Sequence, residues 1–297
     1  MQYVWQIVYA MVKYCWILSL IISFSLDGLA QGSKRRPGGG GFTSSQWYVG
    51  ISSGINQFQP KVQESFSEID YWGADVLETK DYSSSEQPIG YHLGLITIFS
   101  PTKFLQIALN PSYAQQRWGY RTEYAWNDID NENNSYEVDY SHQYTLHYLQ
   151  LPLTARYVFL PRRWKPFIQA GIQYQMRVDA TKELVSAGTD FTSGSPISLQ
   201  NDTQSTTATS LFNNSQWAAK AGGGIYYHFT GCMAGIELNY YYGLNSIVND
   251  QTRFSATRNF QGLGNALDDI RLSGREITFQ LVFPMKYLTK SFSPVVM

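Results

Sequence analysis

Four histidines, His92, His142, His147 and His228, are the side chains best suited to proton transfer or metal binding near neutral pH. His142 and His147 stand close together with Asp139 just before them. A metal pair, or the base and orienting acid of a hydrolytic site, could be built from such a set. Their spacing matches no metal signature. The chain also contains no G-x-S-x-G, H-E-x-x-H or phosphate-binding loop. A nucleophile, a base and an orienting group cannot be placed together from these residues. Asp128, Asp130 and Glu132 alternate as the first ligands of a calcium loop do, but Asn133 stands where the turn glycine belongs. The glycines at 222–224 are followed by no helical pattern, so they make no phosphate cradle. No catalytic residue, no metal site and no cofactor is expected.

The elements that carry these residues have a period of two. In "KPFIQAGIQYQMRVD", from Lys165, one face reads Pro, Ile, Ala, Ile, Tyr, Met, Val and the other Phe, Gln, Gly, Gln, Gln, Arg, Asp. The same alternation predicts eight strands: Trp47–Phe58, Gly90–Phe99, Phe104–Tyr120, Tyr144–Phe159, Lys165–Asp179, Gln216–Phe229, Met233–Leu244 and Arg275–Phe283. Aromatic residues are 15% of the chain, with 22 Tyr, and charged residues only 15%. A soluble domain carries nearer a quarter charged. Composition and period together predict an all-β, eight-stranded antiparallel transmembrane β-barrel. A net charge of −1 argues against nucleic acid as a partner.

Lys13, an apolar run from Tyr14 to Phe24, and Gly28-Leu29-Ala30 predict an export signal over 1–30. A flexible periplasmic linker over 31–46, the barrel over 47–284 and a periplasmic tail over 285–297 complete the expected organisation. The connections between strands alternate in length. Ser100–Lys103, Leu160–Lys165 and Thr230–Cys232 are short, whereas Gln59–Ile89, Arg121–Gln143, Ala180–Ser215 and Asn245–Gly274 are long. Outer-membrane barrels have short periplasmic turns and long extracellular loops. The apolar faces then meet outer-membrane lipid and the polar faces fill the barrel.

"YLQLPLTARYVF" with "KPFIQAGIQYQ", "AAKAGGGIYYHF" and "MAGIELNYYYGL" resembles the PorT-like outer-membrane β-barrel proteins of Bacteroidota. The resemblance spans roughly Trp47 to Phe283. It implies a barrel in the bacterial outer membrane, and for some relatives a role beside the type IX protein secretion system. The long outer loops and the tail after the last strand depart from smaller relatives.

Strand parity sends Arg156, Arg177, Lys220, Glu237 and Glu276 inward. Buried charges need partners of opposite sign, and this set supplies them. Arg156 and Glu237 fall at similar depth, which permits an ion pair. Eight strands enclose a lumen that side chains can fill, so a polar plug is expected. The outer loops carry Tyr71, Trp72, Tyr82, Tyr124 and Trp126. Aromatics of this kind are enriched at binding interfaces. The expected function is structural or partner-binding, toward an envelope protein or an extracellular ligand, with no enzymatic activity. A narrow pore for small solutes and a membrane-embedded hydrolase are the two alternatives.

Overall fold

The computed structural model describes residues 46–66, 77–84, 87–127, 135–160, 163–191, 195–229, 231–253 and 267–285. The expected signal, nearly all of the linker and of the tail, Tyr71, Trp72 and the acidic stretch 128–134 lie outside these residues, and Gln46, the last expected linker residue, begins the first strand. Eleven strands follow in order: β1 (Gln46–Glu64), β2 (Leu77–Ser84), β3 (Ile89–Ser100), β4 (Leu105–Leu109), β5 (Ser112–Asn127), β6 (Ser135–Val158), β7 (Trp164–Asp190), β8 (Ile197–Thr207), β9 (Ser215–His228), β10 (Met233–Gly243) and β11 (Asp269–Pro284).

All pairings between these strands are antiparallel, and the sheet closes. β1 pairs with β3 on one side and β11 on the other. The path continues through β4 and β5, β6, β7, β9 and β10 back to β11. β4 and β5 are one expected strand broken at Asn110-Pro111, so the ring counts eight. Proline has no N–H to donate to the ladder. The Pro111 carbonyl still accepts from Leu95 N at 2.9 Å, and inward parity continues across the break. Following directly opposed residues once round, from Ile51 through Leu95, Leu151, Tyr174 and Trp217, the row returns to β1 at Lys61. That is a stagger of ten residues over eight strands, which tilts them by roughly 40°.

The outer face explains why the strands alternate. Leu149, Leu151, Leu153, Tyr157 and Phe159 point outward along β6 and are exposed, as are Leu93 and Leu95 on β3 and Ile236 and Leu238 on β10. Aromatic rings bound this band at both edges. Trp47–Phe99, Trp164–Tyr227 and Tyr227–Phe229 lie at one rim, with ring centroids 4.6, 4.7 and 4.7 Å apart. Tyr174–Trp217, at 4.9 Å, lies at the other. The band between is roughly 25 Å tall, the thickness of an outer-membrane hydrocarbon core.

The interior is layered, and β6 reads the layers in turn. Val158 belongs to an apolar cluster at the periplasmic end, with Ile96, Ile98, Phe167, Met233 and Val282. Arg156, Thr154 and Gln150 belong to a buried polar middle. Tyr148, Leu146 and Tyr144 belong to a second, larger apolar cluster at the extracellular end, with Trp118, Phe212, Val248 and Leu272. The lumen is therefore filled by a polar layer between two apolar ones, rather than by a polar plug alone.

The long connections are only partly loop. β6 has 24 residues and β7 has 27, about twice what the membrane requires. Their upper halves continue, paired, to Tyr136 opposite Asp190. β2 joins β5, and β8 joins β7, at the sides of this extension. The result is a five-stranded sheet, β2-β5-β6-β7-β8, rising roughly 30 Å above the outer girdle. Period two was less visible here because the outward residues alternate with Tyr, Thr and His rather than with aliphatic side chains.

Leu153→Arg, at mid-membrane on the outer face, should lower unfolding free energy in a lipid bilayer by about 2–4 kcal/mol. Glu137→Arg, on the same face of β6 above the girdle, should change it by less than about 0.5 kcal/mol. Urea titration of both variants in vesicles measures the difference.

Candidate functional site

In the polar middle layer, Arg156 is the hub. Its Nη2 lies 2.6 Å from Glu237 Oε1 across the lumen. Nε donates to Gln169 Oε1 at 2.8 Å and Nη1 to the Tyr226 hydroxyl at 2.6 Å. The guanidinium also stands 5.0 Å from the centroid of the Phe167 ring, where the apolar layer begins. Gln169 Nε2 donates to Glu237 at 3.1 Å and to Asn239, and Tyr226 donates onward to Gln280. The residues therefore come from β6, β7, β9, β10 and β11, all with inward parity. One layer further out, Lys220 pairs with Glu276, and His92 Nε2 lies 3.1 Å from Thr278 Oγ1.

Four of the five expected lumen charges, Arg156, Lys220, Glu237 and Glu276, are thus buried inside and form two pairs. Arg177 has inward parity too, opposite Tyr148, but joins neither pair. The β6–β7 register shifts opposite His147 and Tyr148, and Val178 is the extra residue. A bulge of one residue flips the parity that follows it. Lys182 and Leu184 face inward beyond it, while Arg177 sits half-buried at the bulge. Its Nη2 donates to Asn214 Oδ1 at 2.6 Å and its Nε to the Asn213 carbonyl at 3.3 Å. It braces the turn before β9 and takes no part in the two ion pairs. Tyr226 was missed, although it has the parity of a named neighbour, Lys220.

The extracellular sheet has its own buried face. Trp118 and Tyr144 stack with centroids 4.3 Å apart, and Tyr120 stacks on His142 at 4.6 Å. Burial pushes the Tyr120 and Tyr144 phenols up from their usual value. His142 Nε2 lies 3.1 Å from Thr122 Oγ1. Burial, reinforced by the positive charges of Lys182 and Lys80, holds this imidazole well below its usual pKa. At the edge, Lys80 donates to Asp268 at 2.6 Å and to the Phe66 carbonyl at 2.8 Å. Arg253 stands 3.5 Å from the Phe66 ring and pairs with Asp269. These contacts tie β2 and the segment before β11 to the same core.

Of the loop aromatics, Tyr124 is 1% exposed and belongs to this core, because β5 continues past the membrane and its even residues still point inward. An aromatic in an outer segment therefore need not be displayed. Tyr82 is 38% exposed, and Trp126 lies on β5. His142 and His147 cannot act together. His142 faces the core and His147 faces outward, where its Nδ1 lies 2.7 Å from the Tyr113 hydroxyl. Asp139 shares the outward face of β6.

A closed eight-stranded antiparallel ring with a lipid-facing apolar band defines a transmembrane β-barrel of the bacterial outer membrane. The chain belongs to the outer membrane protein beta-barrel domain family, whose model matches residues 29–249. No curated protein matches it. Among solved structures it is similar to Ail, the attachment invasion locus protein of Yersinia pestis, at 12% identity over 80% of this chain and 99% of that one, with a TM-score of 0.33. OprG from Pseudomonas aeruginosa matches at 12% identity over 80% and 95%, with a TM-score of 0.34. Neisserial surface protein A matches at 10% over 80% and 98%, with a TM-score of 0.33.

Glu237→Ala should lower stability by about 3–5 kcal/mol, because Arg156 is left buried without its counter-charge. Arg156→Met combined with Glu237→Leu should cost less than Glu237→Ala alone, which denaturant titration of the micelle-bound protein can measure. A second expectation concerns pH. His142 stays neutral when folded but binds a proton below about 6.5 when unfolded. Stability should therefore be full above that value and fall as pH drops below it, by up to about 1.4 kcal/mol per unit. His142→Phe should flatten the dependence between pH 7.5 and 5.5, read from unfolding midpoints on the two sides of about 6.5.

Proposed function

We propose that this barrel is a closed, non-catalytic platform that holds a rigid sheet above the outer membrane for a protein partner. The observation that carries this reading is the five-stranded extracellular sheet with two open sides. Among the described residues, β2 pairs only with β5, and β8 only with β7. An edge strand offers a row of unpaired backbone groups that can accept a strand from another chain. β8, "ISLQNDTQSTT", has no Lys and no Pro to discourage such pairing. The outward face adds charge. Asp81, Glu123 and Asp139 are in register across three neighbouring strands, and all are exposed. Like charges directly opposed repel, so this row favours a basic partner surface.

The filled lumen supports a platform over a pore. Apolar layers above and below the Arg156–Glu237 network leave ions no continuous polar path. The separation of His142 from His147 supports a platform over a hydrolase. The resemblance to PorT-like barrels makes a protein secretion or envelope assembly the setting we favour.

Thr203→Lys combined with Ser205→Lys would charge the β8 edge without touching the barrel, and replacement of 182–207 by a short turn, where Thr181 lies opposite Thr207, would delete β8 with the upper part of β7. Both variants should keep the heat-modifiable migration of a folded barrel while losing whatever protein the intact chain co-purifies from native membranes. Full retention by both would refute the edge as the binding surface. In planar bilayers the intact protein should give no steady conductance, and stable steps would return the reading to a pore.

A further inference from the structure

We propose that the outward rim formed by β1, β10 and β11 binds the phosphate group of an acylated outer-leaflet lipid. Lys61 on β1 and Arg271 on β11 are direct cross-strand partners on the outward face. Like charges so placed are destabilising unless an anion lies between or above them. Arg275 is the next base down β11 on that face, opposite Gln57 on β1 and Tyr240 on β10. Among the described residues no carboxylate lies within ion-pair distance of Lys61, Arg271 or Arg275. The acids above them are Glu64 and Asp269, and Asp269 is already held by Arg253. The Arg271 Nε is buried and has no hydrogen-bond acceptor among the described residues. A buried guanidinium N–H without a partner is costly, so the cluster is short of one strong acceptor with negative charge.

Depth identifies the ligand. Arg275 is level with the outer aromatic girdle, and Arg271 is four residues further out along β11, roughly 10 Å higher. The Lys61 ammonium stands 5.8 Å from the centroid of the Tyr242 ring, so its side chain leans back toward the membrane. The three charges therefore span the headgroup layer. Directly below them the outer surface holds a depression of about 790 Å³, with Arg275 and Tyr240 among its lining. Its walls are Ile55, Ile89, Leu238 and Ile277, and its floor lies close to the backbone where Ala221 and Gly223 on β9 carry little side chain. Free phosphate would satisfy the charges only. A phosphorylated lipid satisfies the charges and lays an acyl chain in the depression, which makes the lipid the occupant.

The test uses the full chain in detergent micelles and native mass spectrometry. The probes are a hexa-acyl glucosamine disaccharide lipid carrying two phosphates and its dephosphorylated form. The intact protein should retain the phosphorylated lipid about tenfold better than the dephosphorylated one. Combined Lys61→Gln, Arg271→Gln and Arg275→Gln should remove that preference. Arg275→Gln alone, at an exposed site, should reduce it by a smaller factor while keeping the folded migration. Equal retention of the two lipids by the intact protein, or an undiminished preference in the triple variant, would overturn the proposal. So would complete displacement of the lipid by millimolar inorganic phosphate, since free phosphate would then be sufficient.

Discussion

Hydrocarbon offers a peptide group nothing to hydrogen-bond with, and each of the eight strands of the ring answers to that fact. The pairing of β1 with β11, continuous from Tyr48 opposite Pro284 to Val62 opposite Ile270, removes the last two edges inside the membrane. Closure with eight strands and a ten-residue stagger sets the tilt and the width of the lumen. Width in turn decides what fills it. Side chains from opposite walls can touch, so Arg156 on β6 reaches Glu237 on β10 without any intervening loop. A wider ring would hold the same charges apart in water.

Above the membrane the constraint is relaxed, and the sheet changes character at that level. Water can satisfy an edge, so β2 and β8 can end the sheet there although no strand could do so lower down. Without lipid on the outside, the apolar surface needed for stability moves inside. Trp118, Tyr120, Tyr144 and Phe212 form a core of the kind found in soluble proteins, placed over the lumen mouth. Outward residues on the same strands become Glu123, Glu137 and Asp139. One chain therefore has two opposite hydrophobic patterns stacked along continuous strands.

That reversal explains what could be read from the sequence. Within the membrane the alternation of Leu, Ile and Tyr with Gln, Thr and Arg is strong, and strands β3, β6, β7, β9 and β10 can be placed by eye, as can the inward direction of Arg156, Lys220, Glu237 and Glu276. Above the membrane, Tyr alternates with Glu, Asp and Arg, which reads as a polar loop, so Tyr124 looks exposed although it is buried. Arg177 also has the inward direction its parity gives, but its partners are Asn213 and Asn214 before β9, which no strand pattern shows. Beyond it a single inserted residue, Val178, reverses parity, and no glycine or proline marks it. β2 and β8 are legible only from their neighbours, since "LETKDYSS" and "ISLQNDTQSTT" have little strand pattern of their own.

The central claim is that the strands above the membrane form a rigid, packed sheet continuous with the barrel. Hydrogen exchange of the protein in lipid nanodiscs tests it residue by residue. Backbone amides of Thr122, Tyr140 and Leu184, all on the buried face of the extracellular sheet, should exchange nearly as slowly as that of Gln169 inside the membrane. Exchange of these three at the rate of an unstructured loop, with Gln169 still protected, would contradict the account.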